Sequence, residues 1–257
     1  MHMNDFIIVT GATGAIGGEI ATELAARGEN VILACRNVAR AEEKRAAIVE
    51  RHPAAQVVVR QLDLAREDSI RAFVDGLTAD GIGVAGLINN AGVMCHTYST
   101  DERGIETTMA VNFLNTRLLT ELMIGAFPSM RRVVFTTSLT RFINRRNRDF
   151  ADGKPLAINV PERHYHPLLT YGRSKRALTD YAIHLSRVSP AVTVTCADPG
   201  VVDSGMISMH RWYDCISDLV FRPLIRTPRQ GADPALRAWY GAEPNLIYCR
   251  HRSRRLE

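Results

Sequence analysis

Short apolar runs alternate with helically spaced ones along the first half of the chain. Residues 5–10 form a β-rich apolar run that ends in a glycine-rich turn. Residues 15–27 follow with Ile16, Ile20 and Leu24 on one helical face, and Gly28 closes them as a C-terminal glycine should. Residues 31–34 read as a second buried strand, 38–52 as a helix closed by Pro53, and 57–62 as a third strand. A helix over 67–78 and a fourth strand over 84–89 come next. The pattern continues with a long helix over 107–124, a strand over 132–137, a long helix over 170–188 and a strand over 192–197. Strands alternating with helices at this spacing predict βαβ units and a parallel sheet.

The periodicity fails twice. Residues 139–169 are polar and carry Asn, Arg, Asp, Gly and Pro, as a long excursion over a sheet edge would. A second irregular stretch covers residues 199–228. Loops of such length in compact domains are usually functional or mobile. With no internal repeat, linker or low-complexity tract, a single domain over residues 1–257 is the simplest account.

Composition adds little to this picture and removes several function classes. A chain of 257 residues with 46% hydrophobic and 23% charged positions has ordinary globular make-up, which excludes disorder of the whole. The net charge of +5 could in principle serve nucleic acid, a membrane surface or an anionic ligand. The basic residues are almost all Arg and gather in two clusters, Arg141, Arg145, Arg146 and Arg148, then Arg250, Arg252, Arg254 and Arg255. Neither is interleaved with aromatics or borne by a nucleic-acid motif, so both are read as solvated surface and no nucleic-acid partner is expected. Five scattered cysteines (Cys35, Cys95, Cys196, Cys215, Cys249) form no C-x-x-C pair and are odd in number. With no signal peptide in sight, reduced thiols in a cytoplasmic protein are expected, and no metal site. No apolar run approaches the roughly 18 residues that cross a bilayer, so no membrane span is expected.

Two motifs carry chemistry. Residues 10–17 read Thr-Gly-Ala-Thr-Gly-Ala-Ile-Gly, with Gly11, Gly14 and Gly17 directly after a predicted strand and before a predicted helix. Glycine lets backbone approach a pyrophosphate closely, and the helix N-terminus offers it free N–H groups and partial positive charge. At the end of the second strand, where NAD-specific sites place a carboxylate for the ribose 2′-hydroxyl, the chain has Cys35 followed by Arg36 and Asn37. An Arg pairs well with the 2′-phosphate of NADP, so NADP(H) is favoured, with NAD(H) as the alternative. The second motif is Tyr171-Gly172-Arg173-Ser174-Lys175, which sets Tyr and Lys on one helix face. A phenol with an unperturbed pKa of about 10 is a poor acid–base group at neutral pH. A nearby ammonium favours the phenolate and is expected to lower that pKa.

Taken with these motifs, further marks run in order along the chain: Asp63-Leu64 after the third strand, Asn89-Asn90-Ala91-Gly92 after the fourth, and Val111-Asn112 on the long helix. Thr137-Ser138 ends the fifth strand and Pro199-Gly200 follows the sixth. In this the chain resembles the short-chain dehydrogenase/reductase family over nearly its full length. Residues 31–37 and 87–94 are similar to the retinol dehydrogenase, WW-domain oxidoreductase and protochlorophyllide reductase branch, as is the long separation of Ser138 and Tyr171. Ala15 stands where shorter members have Gly, and Gly14 where theirs varies.

The resemblance implies a single Rossmann-type α/β domain, a doubly wound parallel sheet of about seven strands with helices on both faces. The irregular stretches near 139–169 and 201–228 become substrate-pocket insertions. Tyr171 is implied to be the acid–base, Ser138 to position the substrate oxygen, and Lys175 to tune Tyr171 and hold the nicotinamide ribose. Asn112 would kink its helix and anchor a water. Cofactor contacts are implied for Gly11, Thr13, Gly14, Ala15, Ile16 and Gly17, for Arg36 and Asn37, and for Asp63 and Leu64. They are implied too for Asn89, Ala91, Gly92, Tyr171, Lys175, Pro199, Gly200, Val202 and Ser204. The expected activity is hydride transfer between NADP(H) and a carbonyl or alcohol carbon of a small to medium organic substrate, in a possible homo-oligomer. Two rivals remain: an NAD-dependent alcohol dehydrogenase, and a non-catalytic dinucleotide-sensing regulator, which would normally lack the Tyr or the Lys.

Overall fold

The computed structural model describes residues 5–143, 160–202, 226–241, 243, 246–249 and 253–255. Six of its strands are those the alternation predicts: β1 (Phe6–Thr10), β2 (Asn30–Cys35), β3 (Val57–Gln61), β4 (Val84–Asn89), β5 (Arg132–Thr136) and β6 (Thr193–Ala197). Two more, β7 (Leu246–Tyr248) and β8 (Ser253–Arg255), extend the sheet at its far edge. All eight form one sheet in the order β3-β2-β1-β4-β5-β6-β7-β8. Seven strands run parallel; β8 runs antiparallel, with Leu246 opposite Arg255 and Tyr248 opposite Ser253.

Because successive strand residues point to opposite faces, each buried strand feeds two cores. Ile8, Ile32, Leu87, Val133 and Phe135 pack on one side with Phe73 of α3 (Glu67–Ala79), Leu119 of α5 (Thr116–Ala126) and Leu178 of α6 (Pro167–Val188). Ile7, Val9, Val31, Leu33 and Val134 pack on the other with Leu24 of α1 (Ala15–Ala26), Ile48 of α2 (Val38–Arg51) and Trp239 of α7 (Pro228–Tyr240). Burial on both faces is why these strands read as continuous apolar runs in the sequence.

The strand order reverses between β1 and β4, and there the carboxyl ends of the strands open a crevice. Thr10 closes its floor. Its Oγ1 accepts from the backbone N–H groups of Asn90 and Ala91, each at 3.0 Å, and Asn90 Nδ2 donates back to the Thr10 carbonyl at 3.0 Å.

Where the elements differ from expectation, a local cause is visible. The long helix predicted over 107–124 is three pieces: α4 (Thr107–Met109), a π-helical stretch Ala110–Asn115, and α5. The buried Glu106 carboxylate caps α4 through the N–H groups of Thr108 and Met109, and Thr116 Oγ1 donates to the Val111 carbonyl at 2.9 Å. Widened turns of this kind gather at functional sites. Helix α6 starts at Pro167, three residues before its predicted start, because Pro suits a first turn. Helix α7 has no counterpart among the predicted elements; a capping box between Thr227 and Gln230 starts it.

Phe135 is fully buried and meets Tyr181 of α6 edge-on, with ring centroids 5.8 Å apart. Phe135→Ala should therefore cost about 3–5 kcal/mol of stability. Urea denaturation followed by far-UV circular dichroism measures it, and an unchanged midpoint would contradict this account of the core.

Candidate active site

At the switch point lies a cleft of about 550 Å³. The turn and first residues of α1 form one wall, where Gly11, Thr13, Gly14, Ala15, Ile16 and Gly17 all line the space. Arg36 and Asn37 line it after β2, Asp63 and Leu64 after β3, and Ala91 and Gly92 after β4. Gly14 is the N-cap of α1 with no side-chain cap, and no acid sits in the first turn. The helix therefore presents unsatisfied amides and partial positive charge to the cleft. A Cβ on Gly17 would strike the Gly11 carbonyl oxygen and the Asn90 side chain, so the turn can stay this tight only with glycine. An anion such as a dinucleotide pyrophosphate fits this wall.

At the far side Arg36 and Arg40 are both exposed on the cleft, and neither forms an ion pair among the described residues. Asn37 caps α2, its Oδ1 accepting from the Arg40 N–H at 2.9 Å. The Asp63 carboxylate accepts from the Ala65 N–H at 2.9 Å, which fixes the turn after β3.

Four of the predicted contacts do not line the cleft. Asn89 is 2% exposed and lies below the cleft, its Nδ2 donating to Thr120 Oγ1 at 3.0 Å; the neighbouring Asn90 takes the lining position. Pro199 and Val202 are buried beyond the end of β6, and neither they nor Gly200 line the cleft. The Pro199 carbonyl accepts from Arg226 Nη1 at 2.8 Å, while Val202 packs close to Gly231 of α7. Ser204 lies outside the described residues, as do 144–159 and 203–225 of the two irregular stretches.

The inner end of the cleft abuts the second cluster. A Cβ on Gly92 would come within 3.2 Å of Lys175 Nζ and 3.3 Å of Asn112 Oδ1. Ser138 leaves β5 as the N-cap of a short 3-10 helix, Leu139–Phe142, and its side chain hydrogen-bonds the phenol of Tyr171. Lys175 is 2% exposed, one turn along α6 from Tyr171; its Nζ donates to the Thr136 carbonyl at 2.8 Å and lies 5.7 Å from the Tyr171 ring centroid. Asn112 reaches from the π-helical stretch in three bonds. Its Oδ1 accepts from the Val93 N–H at 2.8 Å, and its Nδ2 donates to the Val93 carbonyl at 2.8 Å and Ser174 Oγ at 3.0 Å. One buried amide thus joins the strand that ends in the cleft to the helix that carries Tyr171 and Lys175.

Burial is the first cause of both pKa shifts at this cluster. Tyr171 is pushed up to about 12, first by the protein packed around it, then by the Asp198 carboxylate, against a smaller lowering by Ser138. Lys175 is absent from these causes: its ammonium is directed at the Thr136 carbonyl. Lys175 itself is brought down to about 8 by burial, with Asp198 and Cys196 opposing the fall. Arg141 overturns its reading as part of a solvated cluster. It is 6% exposed, and its guanidinium meets the buried Asp198 carboxylate at 2.7 Å. Arg40, Asn90 and Asp198 are the site residues that sequence reasoning missed. Arg40 could have been found from its place one helical turn beyond Arg36.

A family model described as short chain dehydrogenase matches residues 5–147. Retinol dehydrogenase 11 of Homo sapiens is 37% identical over 239 residues, which cover 90% of this chain and 71% of that protein. Retinol dehydrogenase 12 of Bos taurus is 34% identical over 234 residues, with the same shares covered. A short-chain dehydrogenase from Sphingobium yanoikuyae in complex with NADPH shares the fold at a TM-score of 0.71 and 20% identity, over 95% of this chain and 87% of that one. The family match across more than half the chain, and relatives more than one-third identical over most of their length, show that the chain belongs to the short-chain dehydrogenase family of NAD(P)-dependent oxidoreductases.

Proposed function

We propose that the protein is an NADP(H)-dependent oxidoreductase that interconverts a carbonyl and an alcohol on a small to medium substrate with an apolar body. One observation carries the reading: the Ser138 hydroxyl and Tyr171 phenol meet each other, with the Lys175 ammonium buried one turn away and lying against Gly92, which lines the cleft. A nicotinamide bound there supplies or accepts hydride. Ser138 holds the substrate oxygen, and Tyr171 gives that oxygen its proton in reduction or takes it in oxidation. Being held up to about 12, Tyr171 is protonated at neutral pH and so is set for donation. Lys175 supplies positive charge beside the site, and Asn112 fixes the backbone of Val93 between the cleft and α6.

The end of β2 supports NADP(H) over NAD(H). Cys35 occupies the place of a ribose-binding acid, and two exposed cations, Arg36 and Arg40, face the same part of the cleft. The substrate's apolar body is supported by Leu139, Phe142, Ile143, Leu168, Leu169 and Val201, all exposed on the segments that flank Ser138, Tyr171 and Gly200. The retinol dehydrogenase relatives are named for such a substrate. The described cysteines Cys35, Cys95, Cys196 and Cys249 form no disulfide among the described residues, which fits a reducing compartment such as the cytoplasm. No helix among the described residues is long and apolar enough to cross a membrane.

Arg36→Leu should weaken NADPH binding by more than about tenfold while leaving NADH nearly untouched, because an Arg–phosphate pair is charge-assisted. Arg40→Leu should act in the same direction. Titration of cofactor fluorescence reads both, and equal losses for the two cofactors would remove the basis for NADP preference.

The experiment that tests the activity follows NADPH oxidation against a panel of apolar aldehydes and ketones. Tyr171→Phe keeps the ring and should lower turnover by about 100- to 10,000-fold with cofactor affinity retained. Lys175→Met should lower turnover and weaken cofactor binding as well. Since Lys175 is held down at about 8, its charge is present below that pH and lost above it, so reduction should decline as pH rises through about 8. Wild-type turnover by Tyr171→Phe would refute the assignment; a wild-type enzyme that binds NADPH tightly and turns over no carbonyl would favour the sensor instead.

A further inference from the structure

Arg141 and Asp198 are distant in sequence, nearly fully buried and joined behind the Ser138–Tyr171 contact. Arg141 sits in the 3-10 helix Leu139–Phe142, and Asp198 directly follows β6. The same Arg141 Nη1 that meets Asp198 Oδ2 at 2.7 Å also donates to the backbone carbonyl of Ser138 at 2.8 Å. That carbonyl accepts from the Arg141 N–H too, at 3.1 Å. The guanidinium lies over the Phe142 ring, 4.3 Å from its centroid. Asp198 is held from its other side: Oδ1 accepts from the Gly200 N–H at 3.0 Å, and its own N–H donates to the Tyr248 carbonyl at 2.8 Å. Neither residue lines the cofactor cleft.

We propose that Arg141 and Asp198 are a positioning pair for the reaction: the guanidinium clamps the Ser138 carbonyl to the end of β6 and thereby fixes the Ser138 hydroxyl against the Tyr171 phenol. The pair rests on the reading of Ser138, Tyr171 and Lys175 as reacting groups. Its geometry has a second support at Gly172. A Cβ there would lie 2.6 Å from the Thr140 carbonyl, so the 3-10 helix is seated directly on α6 next to Tyr171, and any shift of the 3-10 helix alters the Ser138–Tyr171 contact. A buried ion pair is a weak source of net stability, because desolvation offsets attraction, yet breaking it from one side leaves an uncompensated charge. Geometry is what such a pair fixes well.

The pair also sets the charge balance. Among the described residues, the charged and titratable groups that act on Tyr171 or Lys175 are Asp198 and Cys196, from β6 and its end, and Arg141 of the 3-10 helix acts in turn on Cys196 and is paired with Asp198. Asp198 favours the protonated form of both Tyr171 and Lys175. Arg141 is its counter-charge. Without Arg141, the uncompensated carboxylate holds protons on Tyr171 and Lys175 to higher pH. Without the Asp198 charge, both lose protons at lower pH.

Four variants test the proposal, with NADPH oxidation and thermal melts read on each over a range of pH: Arg141→Met, Arg141→Lys, Asp198→Asn, and the double Arg141→Met/Asp198→Asn. Arg141→Met should lower kcat by about 10- to 100-fold, the scale of a displaced reacting group, with NADPH affinity unchanged. The alkaline decline of its rate should move to higher pH, and that of Asp198→Asn to lower pH. Arg141→Lys should recover part of kcat, since one ammonium can still bridge the two oxygens. The double variant separates positioning from stability: removing both charges should restore the melting temperature, while kcat stays low because the clamp on Ser138 is gone. Should Arg141→Met fail to fold, Asp198→Asn and the double variant carry the test. Recovery of kcat in step with the melting temperature, or pH profiles that coincide with wild type, would overturn the proposal. Tyr171→Phe in the same assay keeps the two readings apart. If it is inactive while the pair variants behave as wild type, the positioning role alone is wrong; if it is active, or wild type turns over nothing, the underlying reading is wrong.

Discussion

A positive charge buried in the protein interior is the constraint around which the rest of the site is arranged. Lys175 is 2% exposed, and removing an ammonium from water is costly unless hydrogen bonds and opposite charge replace the lost hydration. The Thr136 carbonyl supplies the bond, and Asp198 supplies the favourable field. For both to reach it, β5 and β6 must end at one level and α6 must cross directly over them. A parallel sheet does this naturally, since its strands all deliver their carboxyl ends to the same edge. The π-helical stretch adds the third tie, bringing Asn112 across to Val93 and Ser174.

The same sheet edge thus carries two sites of complementary character. At the β1–α1 turn the helix N-terminus has no side-chain cap and no acid in its first turn, and Arg36 and Arg40 form no ion pair among the described residues, so that end is open to an anion. At the β5–β6 end the charges are buried and already matched among themselves, Arg141 with Asp198 and Lys175 with Thr136. The first arrangement leaves its groups open to a ligand; the second pairs its buried charges within the protein. Gly92, bordering the cleft and lying against Lys175, is where the two meet.

Much of this was legible in the sequence because it is local. Six strands and most helices follow from apolar periodicity, and the glycine turn and the Tyr171–Lys175 spacing are contiguous motifs. What escaped depends on contacts between distant segments. Strands β7 and β8 are only three residues each, too short to show a pattern, and Pro234 inside α7 disguises a helix that Thr227 and Gln230 cap at its start. Asn89 and Asn90 are equivalent on paper; only the pleat decides that the first turns inward to Thr120 and the second faces the cleft. Arg141 looked like its neighbours Arg145, Arg146 and Arg148 until the fold brought Asp198 to it. The tuning of Tyr171 by Lys175 was read from their spacing; what the spacing could not show is that a carbonyl on β5 takes the ammonium's hydrogen bond while the ring lies 5.7 Å away.

The account stands on Lys175 being both buried and charged near neutral pH, and this can be measured without substrate or cofactor. The chain contains three lysines, Lys44, Lys154 and Lys175, so the side-chain ¹³C resonances of isotopically labelled lysine can be followed individually in a pH titration. One of them, absent from Lys175→Met, should titrate at about 8. Three resonances that all titrate near the ordinary lysine value of about 10.4 would contradict the buried, carbonyl-held ammonium on which the site is built.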